Sequence, residues 1–380
     1  MGSKSYKENR TEGVGNLGNL LKKDSKYWNN WRWQLKNRIK TPEGLKKYFK
    51  NLTEDEEKGL ELTAEEFPLA VTPYYLSLAD PYNPECPIRK QIVPRYSEID
   101  PKMQISCDPN ALEEEGEIPH LTHRYPDRVL ITLTTMCPVY CRHCMRKRKV
   151  GKPERAITEE EFKPIWDYIK KQNQIREVLI SGGDPLVLSN EKLFHFIRQL
   201  KKIDHIEVIR IGTRTPVILP QRFYDEELLK FLEKISPVWI VTHFNHPKEI
   251  TEEVTLAVKN IRKTANPVLN QTVLLKGIND NPQTMEELFR GLIRIGVKPY
   301  YLFHCDPIYG VVHFRTPIEV GLKIMSHLRG RVSGLAQPIY ALDLPHGKGK
   351  VVLSPQYLVK KEGRKHYFRN YEGEIVEYEF

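Results

Sequence analysis

The apolar residues of this chain change their spacing about a third of the way along. From Tyr27 to about Leu112 the spacing is helical. Trp28, Trp31, Leu35 and Ile39 recur three or four residues apart, which places side chains on one helix face. Thr41-Pro42-Glu43 and Thr53-Glu54-Asp55-Glu56 read as helix starts, a capping hydroxyl followed by acids in the first turn. Pro68, Pro73, Pro81, Pro84 and Pro87 cut the region into short helices. Residues 1 to about 25 are polar with several glycines and read as a flexible end. The expectation is a helical N-terminal region over residues 1–115, wrapped on the core of the protein.

Downstream, short β-rich runs alternate with helical segments, at 129–133, 177–181, 208–211, 238–242, 269–274, 300–303 and 339–342. The central runs recur at roughly the 30-residue length of a βα unit. That predicts a parallel sheet with helices outside, in an α/β fold built as an open or partial barrel over residues 116–350. No repeat is visible in the sequence itself. Residues 351–380 form a short, mixed and charged tail. Its last stretch, Glu374-Ile375-Val376-Glu377-Tyr378-Glu379-Phe380, roughly alternates and predicts an edge strand.

Composition narrows the class. The chain has 380 residues, 40% apolar and 28% charged, with a formal net charge of +10. The positive excess is spread out, with one run at Arg146-Lys147-Arg148-Lys149. No zinc finger, RNA-binding aromatic motif or basic heptad accompanies it, so the charge points to cationic pockets for small anions, not to nucleic acid. No apolar run of ~18 residues is present, so no membrane span is expected. Six scattered cysteines are too few for a disulfide scaffold. With a polar start and no signal peptide, the expectation is a cytoplasmic enzyme.

Three of those cysteines stand close together, Cys137, Cys141 and Cys144, spaced C-x3-C-x2-C. Three thiolates are one short of the four that complete a cubane or a structural zinc site. A [4Fe-4S] cluster held by three cysteines leaves one iron open to a small molecule. A zinc site with His143 as fourth ligand, or three free thiols packed as small apolar groups, are the alternatives.

Position carries further information. Polar groups end six of the seven predicted strands: the cysteine trio, Ser181-Gly182-Gly183-Asp184, Thr213-Arg214, His243 with Asn245, Asp306 and Asp343; Gln271 lies within the fifth. Ligands bind at that edge of parallel α/β sheets, although turns and helix caps are also polar. Near the end, Asp343-Leu344-Pro345-His346-Gly347-Lys348-Gly349-Lys350 places lysines among glycines. It does not meet the phosphate-loop pattern; a Schiff-base lysine for pyridoxal phosphate (PLP) and an exposed cationic turn are the remaining readings. His123-Arg124-Tyr125-Pro126-Asp127-Arg128 offers cations for a phosphate, or a surface turn with a local Arg–Asp pair.

Together these stretches, with Asn270-Gln271, Cys305-Asp306 and His313-Phe314-Arg315-Thr316-Pro317, resemble the lysine 2,3-aminomutase family of radical S-adenosylmethionine (SAM) enzymes over about residues 120–350. The resemblance implies a partial (β/α) barrel of the radical SAM type with a helical N-terminal extension. It implies that Cys137, Cys141 and Cys144 hold a [4Fe-4S] cluster, and that Ser181, Gly182, Gly183, Asp184, His143, His243 and Gln271 contact SAM. Lys350 would form the Schiff base with PLP, with Lys348 as rival, and Arg124, Tyr125 and Arg128 would hold its phosphate. Arg146 would pair with the substrate carboxylate, and Asp306 and Asp343 with the distal ammonium of lysine. The implied reaction moves the α-amino group of L-lysine to C3, started by a 5′-deoxyadenosyl radical. An electron donor such as flavodoxin or ferredoxin and a homo-oligomeric state are also implied. Relatives acting on arginine or glutamate, or on a lysine of a translation factor, are the alternatives. The chain departs from the family pattern where His346 and Lys348 interrupt the glycine loop, where Pro307-Ile308 follows Asp306, and where Phe303 stands in place of a tyrosine. The cysteines of a C-terminal zinc site found in part of the family are absent.

Overall fold

The computed structural model describes residues 17–105, 107 and 116–380. Most of the expected flexible end, residues 1–16, lies outside it, as do residue 106 and residues 108–115.

Nine strands form one sheet in sequence order: β1 (Leu121–Tyr125), β2 (Arg128–Thr132), β3 (Glu177–Ser181), β4 (Val208–Gly212), β5 (Trp239–Thr242), β6 (Val268–Leu274), β7 (Lys298–His304), β8 (Ile339–Asp343) and β9 (Lys350–Val352). β2 to β8 are parallel, and they coincide with the seven predicted runs to within two residues. β1 and β9 flank them antiparallel. Laid flat, nine strands at about 4.8 Å spacing would hold their edges about 38 Å apart. Yet the Lys350 backbone N–H donates to the Tyr125 hydroxyl at 3.0 Å. The sheet is therefore curled until its two edges touch, which is how a partial barrel encloses a site.

Helices such as Glu159–Lys171, Asn190–Leu200 and Pro282–Ile295 link successive strands. Each starts on a side-chain cap, Thr158, Ser189 or Asn281. Their apolar faces cover Val129, Ile131, Val178, Ile180, Ile209, Ile211 and Ile240, all buried. The pairing register places Thr132, Ser181, Gln271, Phe303 and Asp343 on the opposite, inner face.

The N-terminal region is helical, and Thr41 and Thr53 cap helices as expected, Thr53 within a capping box with Glu56. The first apolar stripe is shorter than its spacing predicts. The helix covers only Trp31–Lys36, because Asn37 closes it on the Trp33 carbonyl and Ile39 is extended, bridging to Val71. A three-stranded antiparallel sheet, β10 (Leu358–Glu362), β11 (Lys365–Arg369) and β12 (Ile375–Glu379), forms the tail, with β12 at its edge.

The N-terminal region grips the loop after β2. Arg38 donates to the Cys137 carbonyl at 2.6 Å. Backbone N–H groups of Tyr140 and Arg142 reach the carbonyls of Ala70 and Gln91, both at 2.9 Å. Glu98, fully buried, receives the Arg142 guanidinium (Nε at 2.9 Å from Oε1) and the Lys147 ammonium at 2.8 Å. Burial alone would raise the Glu98 carboxyl, but Arg142 and Lys147 outweigh it and hold it down at about 2. Burial likewise pulls Lys147 down to about 8 against the attraction of Glu98, so both are charged at neutral pH. Within the basic run, Lys147 is thus a buried strut, while Arg148 and Lys149 are exposed.

Removing Glu98 strands two buried cations. Glu98→Ala is expected to cost about 3–5 kcal/mol, read as a lowered melting temperature. Breaking the exposed Lys163–Asp167 pair (2.8 Å) with Asp167→Ala should leave the melting temperature nearly unchanged. Because the folded-state pKa of Glu98 is depressed, its contribution is present above roughly pH 4 and is lost as pH falls toward about 2.

Candidate active site

The cysteines lie on the loop between β2 and the helix Glu159–Lys171, at the C-terminal edge of the parallel strands. Their loop is braced by the one that ends β3. Gly183 N–H donates to the Thr134 carbonyl at 2.5 Å and Asp184 N–H to the Met136 carbonyl at 2.7 Å. Gly182 has φ +141°, and a Cβ on it would strike the Thr134 carbonyl oxygen; one on Gly183 would strike the Met136 carbonyl oxygen. Only glycine permits that approach. The Asp184 carboxylate accepts from the Thr213 hydroxyl (2.7 Å) and from the backbone N–H groups of Leu186, Arg214 and Thr215. Its oxygens tie the β3 and β4 loops together. Ser181 and Gly182 meet Arg146, whose Nη1 lies 3.0 Å from the Ser181 hydroxyl and 3.4 Å from the Gly182 carbonyl.

Cys137 and Cys144 pack with Ala70, Tyr140 and Val150, while Cys141 Sγ lies 2.6 Å from Arg214 Nη1. Burial pushes the Cys137 and Cys144 thiols up, so a bound cation is what would make thiolates of them. Among the described residues no three His, Cys, Asp or Glu side chains converge on a single-ion position. Three thiols on one loop, two of them pushed up by burial, fit a group that brings positive charge to the sulfurs.

Beside the loop sit the buried His143 and the half-buried His243, with His313 also half-buried. The His143 and His243 ring centroids are 5.5 Å apart, and Phe314, next to His313, is 6.3 Å from His143. His143 Nε2 accepts from the Asn245 amide at 3.1 Å. His143 Nδ1, His243 Nε2 and both nitrogens of His313 have no partner. Burial pulls His143 far down, and His243 and His313 to about 3, so all three are neutral. Buried polar atoms are seldom left unpaired, and His143 Nδ1 with His243 Nε2, on adjacent rings, mark a place for a polar ligand.

The second group of expected residues gathers where the sheet edges meet. Lys350 and Asp343 face each other across the β8–β9 ladder. Lys350 Nζ is 3.0 Å from Asp343 Oδ1, an ion pair without aligned hydrogen-bond geometry. Arg124 Nη1 lies 3.6 Å from the same oxygen. The Lys350 ammonium is 5.4 Å from the centre of the Phe303 ring and 6.0 Å from that of Tyr125. Arg128 stacks on Tyr125 at 4.1 Å and also makes the local pair with Asp127 at 2.9 Å. Lys348 is exposed in the turn before β9. β7 and β8 are neighbours, with Phe303 opposite Ala341, so Asp306 and Asp343 leave adjacent strand ends. A cleft lined by Thr122, Thr132, Arg146, Gly182 and Gly183 joins the β1 edge to the cysteine loop.

Polar groups at Thr213-Arg214 and Asn245 were foreseeable from sequence, but the contact of Arg214 with Cys141 was not. Nor did His313 carry an expected role, or Glu249, which pairs with Arg214 at 2.7 Å. His313 stood within a recognised stretch; Glu249, in a short turn after β5, carries no local signal.

Gly183→Ala is expected to push the cysteine loop outward and lower iron incorporation on anaerobic reconstitution severalfold, measured as iron per chain, while the far-UV spectrum stays unchanged.

The chain matches the Radical SAM superfamily over residues 131–289 and the Lysine-2,3-aminomutase family over residues 325–380. It is 58% identical, over 93% of its length and 95% of the relative's, to a protein of Aquifex aeolicus (strain VF5) provisionally named L-lysine 2,3-aminomutase. It is 46% identical to the L-lysine 2,3-aminomutase of Clostridium subterminale, covering 92% of this chain and 84% of that one. It is 41% identical to the glutamate 2,3-aminomutase of Clostridioides difficile (strain 630), covering 93% and 83%.

Proposed function

The chain belongs to the lysine 2,3-aminomutase family of radical SAM enzymes, and we propose that it is the isomerase that converts L-lysine to β-lysine by moving the α-amino group to C3. When bound, the cluster and SAM supply one-electron radical chemistry, and PLP supplies a conjugated aldehyde to carry the migrating nitrogen. Cys137, Cys141 and Cys144 are the cluster ligands in this reading. Ser181, Gly182, Gly183, His143, His243 and Gln271 line the SAM site, with Asp184 holding its loop. Lys350 is the PLP lysine, and Arg124, Tyr125 and Arg128 receive the phosphate. A small flavodoxin- or ferredoxin-type protein is the electron donor. Among the described residues no helix is long and apolar enough to cross a membrane.

The observation that carries the reading is the meeting of Lys350, Asp343, Arg124 and Tyr125 at the closed edge of the barrel, in the same sheet whose C-terminal edge carries Arg146 and the cysteine loop. Arg146 holds the substrate carboxylate near Ser181. Asp306 and Asp343, leaving adjacent strands, take the distal ammonium. Two carboxylates in a partly desolvated mouth attract one ammonium and repel a side-chain carboxylate. That favours lysine over glutamate. Asp343 must part from Lys350 before it can receive the substrate, so the aspartate passes from one lysine to another. Alignment between the two ends of the substrate fixes C3, and the enclosing barrel keeps water out.

Anaerobic incubation with SAM, PLP, a reductant and lysine, glutamate or arginine, followed by product analysis, tests this. β-Lysine from lysine alone is expected; turnover of glutamate or arginine in its place, or no product from any, overturns the proposal. Asp306→Asn and Asp343→Asn should each raise KM for lysine about tenfold or more, the worth of a charge-assisted hydrogen bond of ~1.5–3 kcal/mol, with PLP loading retained. Lys350→Ala should abolish the PLP imine absorbance while iron content persists; Lys348→Ala should leave both.

A further inference from the structure

Arg214 follows β4 and is buried, with every part of its guanidinium engaged. Nε donates to the His243 carbonyl at 3.1 Å. Nη2 donates to Gln91 Oε1 (2.6 Å), Glu249 Oε1 (2.7 Å) and the Tyr75 hydroxyl (3.1 Å). Nη1 points at Cys141 Sγ, 2.6 Å away. Glu249 is fixed in turn. It accepts from the Tyr75 hydroxyl at 2.6 Å and from the Asn245 and His246 N–H groups at 2.6 and 3.1 Å. Tyr75 and Gln91 belong to the N-terminal helices Pro73–Leu76 and Pro87–Ile92, so two regions of the chain converge on one guanidinium.

Burying an arginine–glutamate pair is costly, and apolar residues of similar size often serve packing as well. The pair here places a fixed cation against the middle sulfur of the trio. Hydrogen bonds and positive charge at the sulfurs of an iron–sulfur cluster raise its reduction potential, because the reduced cluster is more negative. Low polarity around the site strengthens the effect.

We propose that Arg214 is a positioning residue that donates to the Cys141 sulfur and favours the reduced cluster, with Tyr75, Gln91 and Glu249 holding it on target. This rests on the assignment of the trio to a [4Fe-4S] cluster. The step is a one-electron transfer. An external low-potential donor protein is oxidised by one electron, and the cluster gains it without proton release from Arg214.

The test is a potentiometric titration of the reconstituted protein with dithionite, followed by the electron paramagnetic resonance (EPR) signal of the reduced cluster. Arg214→Gln should leave about tenfold less cluster reduced at a given potential, a midpoint ~59 mV lower. Glu249→Gln, which leaves the guanidinium uncompensated, should move the midpoint the other way. A merely structural role would lower cluster content in both and split neither. If Arg214→Gln does not fold, Arg214→Lys, which keeps the charge but loses the fork, should give a smaller shift in the same direction. An unchanged midpoint in the folded Arg214 variant, with full cluster signal, overturns the proposal. A wild-type protein without any cluster signal overturns the cluster assignment itself.

Discussion

Everything at the cysteine end of the barrel depends on one buried carboxylate. The cysteine loop contains Arg142 and Lys147, two cations that the fold encloses, and Glu98 balances both from the N-terminal region. Without that counter-charge the loop could not lie against the barrel rim, because an unpaired buried cation costs several kcal/mol. The helical region is therefore more than a cover. Through Glu98, Arg38, Gln91 and Tyr75 it sets where three sulfurs stand.

The other end of the site is built by topology. No ladder joins β1 to β9, yet curling brings Tyr125 onto the Lys350 backbone. The residues proposed to hold the phosphate come from one edge, the proposed Schiff-base lysine from the other. The space between them is bounded by Phe303 and Asp343 on neighbouring strands. A closed ring of ladders would have left less room for backbone and side chains from both edges to meet a ligand.

Much of this was legible in sequence, for identifiable reasons. The parallel strands are short apolar runs separated by helical segments, and all seven fall where the runs lie. The Gly182–Gly183 pair stood out at a strand end, but its close approach to the Thr134 and Met136 carbonyls of the cysteine loop is tertiary and was not legible. β1 was missed because its residues are mostly polar and β9 because it is only three residues long, and their pairing with β2 and β8 is tertiary. Ile39 was assigned to a helix because spacing alone does not show that Asn37 ends it. The division of the basic run into a buried Lys147 and exposed Arg148 and Lys149 was also hidden, since it depends on a glutamate 49 residues away in the chain.

The β8–β9 pairing has a geometric corollary. Asp343 and Lys350 are matched directly across an antiparallel ladder, so their separation is set by strand spacing and not by the turn that joins them. Within residues 344–349 the backbone still constrains Gly347 (φ +70°) and Gly349 (φ +91°), both left-handed. His346 and Lys348, exposed on either side of Gly347, belong to the connector and leave the spacing of the two rungs to the ladder.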